Sequence, residues 1–215
     1  MRTHLTLFKA ERLTTWWIAV AIVGSLASAL VPYAANADPT VVPGFTIERI
    51  STGAFPLEQP NGLVIDQDGN IYVGRNFFEP SAVQSDLLRI TPSGDVSSIV
   101  SFGNFIGGLA LNSKGELFGS LLDGTIFKLQ NGIASIFAAL GPLSIPEKVV
   151  FDEQDNRFVA LFGERAVAKV SANGLVTMFV ENLSGPFGVV FRKDLLLIGD
   201  NLNGNGPGIL LEEIG

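Results

Sequence analysis

Whatever chemistry this chain performs must use oxygen, amide, amine and guanidinium groups. It has no cysteine, and its single histidine, His4, and both tryptophans, Trp16 and Trp17, lie within the first seventeen residues. Past that point no thiolate or imidazole is available to act as a nucleophile, complete a serine–histidine triad or hold zinc, and no disulfide framework can form. Carboxylates, amides, hydroxyls, lysines, arginines and Tyr72 remain. Several clusters of them invite a chemical test. Asp66-Gln67-Asp68-Gly69-Asn70 opens like a calcium loop, but an EF-hand needs glycine where Ile71 stands and glutamate where Phe77 stands. A hairpin turn with glycine at the positive-φ position accounts for it. Gly204-Asn205-Gly206-Pro207-Gly208 can turn backbone amides towards an anion, but it matches neither phosphate-binding spacing and is expected to be a connector. Asp200-Asn201 ends an apolar run, where hydrogen bonding to a neighbouring connector is the ordinary role. Phe77-Phe78-Glu79-Pro80 opens a long connector, residues 75–86, which either carries recognition or folds its phenylalanines back onto its own sheet.

The elements that must position these groups begin after a leader. Arg2, Lys9 and Arg12 form a positive region, Trp16 to Leu30 an apolar core, and Ala35-Asn36-Ala37 a small-x-small cleavage site, so residues 1–37 are expected to be a secretory signal peptide. The competing assignment is an uncleaved anchor, which Ser25, Ser28 and Pro32 weaken. The expected location is secreted or periplasmic, without stable membrane association after cleavage. Residues 38–215 then carry 11 basic against 20 acidic residues, a net charge of −9. The bases are scattered singly apart from Arg192-Lys193, so nucleic acid is excluded as a partner and a small molecule or a protein is expected.

The organising signal is a repeat. PNGLVIDQDGNIYVG (60–74), IGGLALNSKGELFGS (106–120), PEKVVFDEQDNRFVA (146–160) and GPFGVVFRKDLLLIGD (185–200) each place a polar turn between two apolar runs. Gly62, Gly108, Lys148 and Gly188 align at steps of 46, 40 and 40 residues. Turns at Asp68-Gly69, Lys114-Gly115, Asp155-Asn156 and Lys193-Asp194 link the first and second runs, and Ser93-Gly94, Asn131-Gly132 and Asn173-Gly174 link third runs to fourth. Each unit therefore predicts a four-stranded antiparallel meander, in repeats of about 60–100, 106–138, 146–180 and 186–214. Only Ile133–Leu140, with its alanines, competes as helix. The 15 phenylalanines beyond the leader supply bulk for packing between sheets.

The string P-N-G-L-x-x-D-x-x-G-N-I-Y-V in residues 60–73 resembles the signature of NHL-repeat β-propellers and of the related senescence-marker-protein/gluconolactonase superfamily. The other repeats keep the apolar frame and lose most of the letters. The resemblance implies an all-β propeller of four visible blades over 38–215. In lactonase-like members a divalent cation sits at the channel mouth on Glu, Asn and Asp from the starts of inner strands. The matching positions here are Asn61, Gly107, Glu147 and Phe187, with Glu58 on the approach to the first inner strand as a further oxygen. Possible calcium binding by Asn61, Glu147 and Glu58 follows from the resemblance, and Gly107 and Phe187 depart from it. Streptogramin-type lyases share the repeat but use histidine as general base, which this chain lacks beyond His4.

Two functions follow as expectations. One is an exported propeller that binds a small ligand or protein through the channel mouth, Asn61, Glu147 and Glu58, and through Phe77 and Phe78. The other is a calcium-dependent, lactonase-like hydrolase. Six blades of about 40 residues exceed the residues available. Either Phe45–Ile50 adds a sixteenth strand to the last blade and a four-bladed ring closes, or the blades form an open arc prone to self-association.

Overall fold

In the computed structural model, residues 6–10, 17–19, 43–50, 55–79, 82–201 and 209–213 are described. All the regular structure among them is β-strand, and no helix there is long and apolar enough to cross a membrane. A first, three-stranded sheet holds β1 (Thr6–Ala10), β2 (Trp17–Ala19) and β3 (Phe45–Arg49) in the order β2-β1-β3. The four repeats then form four antiparallel meanders, called blades A to D here. Blade A is β4 (Pro60–Ile65), β5 (Ile71–Glu79), β6 (Ala82–Ile90) and β7 (Val96–Phe102). Blade B is β8 (Ile106–Leu111), β9 (Leu117–Leu121), β10 (Thr125–Gln130) and β11 (Ile133–Ala139). Blade C is β12 (Pro146–Phe151), β13 (Arg157–Leu161), β14 (Ala166–Val170) and β15 (Val176–Val180). Blade D is β16 (Pro186–Arg192), β17 (Leu195–Asp200) and β18 (Ile209–Glu213).

The turns fall where the sequence places them, for reasons visible in their hydrogen bonds. Asp66 accepts from the backbone N–H groups of Asp68 and Asn70 and from the Asn70 side chain. Asn112 and Asp152 close the equivalent turns of blades B and C in the same way. The Asp66–Asn70 cluster is thus a self-satisfied hairpin. Ile133–Ala139 pairs with β10 as a strand, and the two-residue Asn131-Gly132 turn, with φ of 52° and 77°, fixes that pairing against helix.

The blades pack face to face in series. Cross-strand pairs Val64–Tyr72, Ala110–Phe118 and Val150–Phe158 each face the next blade, while Leu63–Val73, Leu109–Gly119 and Val149–Val159 face back. Phe118, Phe127 and Phe158 are fully buried, each stabilising by about 1.5–3 kcal/mol. The phenylalanines meet edge-on across these interfaces, as in Phe118–Phe151 and Phe158–Phe191.

Two expectations are corrected. Phe45–Arg49 does not extend blade D; it pairs with Thr6–Ala10. The chain that follows it, through Ile50, Phe55 and Leu57, lies on the backward face of blade A with Ile71, Val73 and Leu88, an apolar surface that would otherwise be bare. Blade A is therefore covered by the chain leading into it. The supposed connector 75–86 is mostly strand, with Arg75↔Asp86 through Glu79↔Ala82 continuing the β5–β6 ladder. Its alternating pattern suits a strand on a pleated surface, with Phe77 under the Arg75 guanidinium and Phe78 on the other face. Blade D packs on blade C, and no strand of blade D packs comparably on blade A among the described residues. The leader expectation falls on residues of which only the backbone of β1 and β2 is described, and Gly204–Gly208 lies outside the described residues.

Candidate functional site

The inner strands β4, β8, β12 and β16 pack on one another in succession, so their first residues gather on one side of the series. Each has an irregularity in its pairing with the second strand: between Asn61 and Leu63, Ile106 and Leu109, Pro146 and Val149, and Pro186 and Gly188. A bulge of this kind adds a residue to one strand and redirects side chains. The bulges align the pairs Asn61-Gly62, Gly107-Gly108, Glu147-Lys148 and Phe187-Gly188.

Asn61 from blade A and Glu147 from blade C meet across blade B. The Asn61 side chain lies near enough to the Glu147 carboxyl to favour its ionised form, and its Oδ1 accepts from the Gly62 N–H at 2.9 Å. Gly107, between them in the series, adds no side chain. Glu147 is half-buried; burial raises its carboxyl above the ordinary range and the nearby Asn61 amide opposes that rise. Ser120 fixes the strand beneath: its hydroxyl donates to the Glu147 carbonyl at 2.9 Å and accepts from the Gly108 N–H at 2.8 Å. Asn76 similarly joins blades A and B, bonding both the N–H and the carbonyl of Ile106 at 3.0 Å. The carboxylate therefore sits on a backbone held from the preceding blade.

Lys148 is the residue that sequence reasoning passed over. It is half-buried, burial pushes its ammonium below the ordinary lysine range, and no described residue forms an ion pair with it. The available clue was that it interrupts a column of glycines. Glu58 is exposed on the approach to β4 and has no side-chain hydrogen bond to Asn61 or Glu147 among the described residues. Phe77 and Phe78 stand on the extended β5–β6 hairpin, Phe78 64% exposed with its ring against Phe105, just before β8. Asp200 is buried and accepts from the N–H groups of Ser184 and Gly185 at 2.7–3.0 Å, which makes it a structural anchor for the strand entry into blade D.

Calcium takes six to eight oxygens. At these positions only Asn61 and Glu147 carry side-chain oxygens, and the Asn61 Oδ1 is engaged by Gly62. No group of three or more His, Cys, Asp or Glu residues among the described residues is placed to hold a metal ion. The donor set as arranged does not fit a calcium ion. What the aligned positions supply is a half-buried carboxylate with an amide nearby, a half-buried lysine and an exposed phenylalanine.

Comparisons with known proteins agree with the fold. No protein-family model matches the chain, and no curated protein is significantly similar to it. Among solved structures it is similar to a gluconolactonase from Xanthomonas campestris, with 17% identity over 75% of this chain and 59% of that one and a TM-score of 0.60. A regucalcin from Agrobacterium tumefaciens, described as calcium-binding, matches at 14% identity over 72% of this chain and 60% of that one, with a TM-score of 0.59. Virginiamycin B lyase from Staphylococcus aureus matches at 14% identity over 71% of this chain and 66% of that one, with a TM-score of 0.51. The chain spans about three fifths of the length of the gluconolactonase and regucalcin structures. The architecture is that of these β-propellers, and identities this low show fold alone.

Proposed function

We propose that the chain is a lactonase-like hydrolase acting on a small cyclic or simple ester at the end of the inner strands, with Glu147 as general base. The observation that carries this proposal is the Asn61–Glu147 pair, a half-buried carboxylate brought near an amide from two blades away at the aligned starts of the inner strands. The likeness to a gluconolactonase supports it at the level of fold. Glu147 takes a proton from water as the water oxygen bonds to the acyl carbon. As the acyl C–O bond breaks, it returns that proton to the leaving oxygen. Asn61 holds the carboxylate in position and is a positioning residue. No step is routed through a metal.

A panel of γ- and δ-lactones, each followed by acid release with and without calcium, tests this. Glu147→Gln is expected to lower turnover about 100-fold or more with an unchanged melting temperature. Absence of turnover across the panel, or full turnover by Glu147→Gln, overturns the proposal. A second proposal, ligand binding without turnover, is favoured by Gly107 and Phe187, which leave two of the four aligned positions without a side-chain oxygen. Saturable lactone binding without acid release is its expected result.

A further inference from the structure

The column Gly62, Gly108, Lys148, Gly188 carries a further inference. At the first two positions only glycine fits, because the next blade closes on it. A Cβ on Gly62 would lie 2.8 Å from the Leu109 nitrogen, and one on Gly108 would lie 2.3 Å from the Glu147 carbonyl oxygen. The Cβ direction at this position therefore points at the following inner strand. At Gly188 in blade D, where no further blade is described, a Cβ would meet nothing within 4 Å. Lys148 occupies the same position in blade C, directed by that register at β16. Of the four positions it is the one that carries a side chain.

No described residue forms an ion pair with the charge so placed. Asp200, at the end of β17, accepts instead from the Ser184 and Gly185 N–H groups. Beside β16 the wall is apolar. Phe187 stacks on Phe162 with ring centroids 4.7 Å apart and remains 45% exposed. A half-buried cation on β12, directed at the strand β16 that carries this exposed aromatic ring, is complementary to an organic anion with some apolar surface.

We propose that Lys148 receives the carboxylate of a small organic acid where the start of β12 faces β16, so that the site selects anionic ligands and does so without a divalent cation. The proposal rests on the site of the proposed function and names its ligand class. A carboxylate is also what ester hydrolysis releases, so the product would be held where the substrate was bound.

The test uses the full chain in chelator-containing buffer, with gluconate as probe and sorbitol as its uncharged counterpart. Gluconate is expected to raise the melting temperature of wild type and of Lys148→Arg, and to lose that effect in Lys148→Met; sorbitol is expected to do nothing. In wild type, gluconate is also expected to protect Lys148 from acylation by an amine reagent, read by peptide mass, while the exposed Lys114 reacts unchanged. This second measurement stands even where Lys148→Met fails to fold. A gluconate shift that survives in Lys148→Met, no shift and no protection in wild type, or a shift that requires calcium overturns the proposal. Lys148-dependent gluconate binding without lactone turnover leaves the anion site standing and removes only the hydrolase. Turnover without Lys148-dependent binding does the reverse.

Discussion

At the scale of single residues, two buried or half-buried charges dominate, and each answers to a different test. The nearby Asn61 amide favours the ionised form of Glu147 against burial. Removing that amide in Asn61→Ala raises the carboxyl further, so a general base that must be deprotonated works over a narrower range. The acid limb of the pH–rate profile is expected to move to higher pH, with the melting temperature little changed; an unmoved limb would mean that the amide does not tune the base. Arg157 is a structural charge. Its guanidinium lies 3.9 Å from the ring centroid of Phe137, 4.1 Å from that of Phe118 and 5.0 Å from that of Phe151, and it bonds the carbonyls of Asp155 and Ser171 at 3.2 Å. Arg157→Ala removes the stacked plane and the stem that fills the space, and is expected to cost about 2–4 kcal/mol in urea unfolding. Arg157→Lys recovers only part of this, because an ammonium cannot lie flat between rings.

At the scale of elements, the turns both shape the blades and join them. Asp155, in the first turn of blade C, accepts from the backbone N–H and the hydroxyl of Ser113 in the first turn of blade B, both at 2.9 Å. The Ser113 backbone bond holds its carboxyl below the ordinary aspartate range. A group with a folded pKa below its unfolded one stabilises above the unfolded value, and that contribution is lost as pH falls through the folded value. Asp155→Asn is expected to lower stability by at most about 1 kcal/mol at neutral pH. The difference from wild type should vanish on acidification, as followed by melting temperature through the carboxylate range. This clamp was not legible in the sequence, since Asp155 and Ser113 are 42 residues apart and each is ordinary turn chemistry. What was legible is local: short apolar runs, with Gly, Asn or Asp at most reversals, mark the strands of blades A to D, while residues 75–86, which lengthen β5 and β6, read as a connector. The pairing of Phe45–Arg49 was not, because a short apolar strand fits any open edge. The Asn61–Glu147 contact was suggested only by resemblance. Lys148 was hidden because a lysine in an exposed-looking string says nothing until the bulge shows where its Cβ points.

At the scale of the molecule, stability should run unevenly along the arc. Blades B and C are covered on both faces, and blade A is covered behind by Ile50, Phe55 and Leu57. In blade D, the pair Val190–Leu197 stands where Val64–Tyr72, Ala110–Phe118 and Val150–Phe158 are covered by the next blade, yet Val190 is 53% exposed. In a repeat architecture each unit draws its stability from its own contacts and its neighbours' faces, so a unit with one neighbour opens at lower free energy. Native-state hydrogen exchange is therefore expected to show the slowest amides in β9, β12 and β13 and markedly faster ones in β16 and β17. Substituting Val150→Ala, which faces blade D from blade C, should speed exchange in blade D more than in blade A. Equal protection of β13 and β17 would show that the forward face of blade D is covered in solution, and the arc would then have to be redrawn as a structure without a free end.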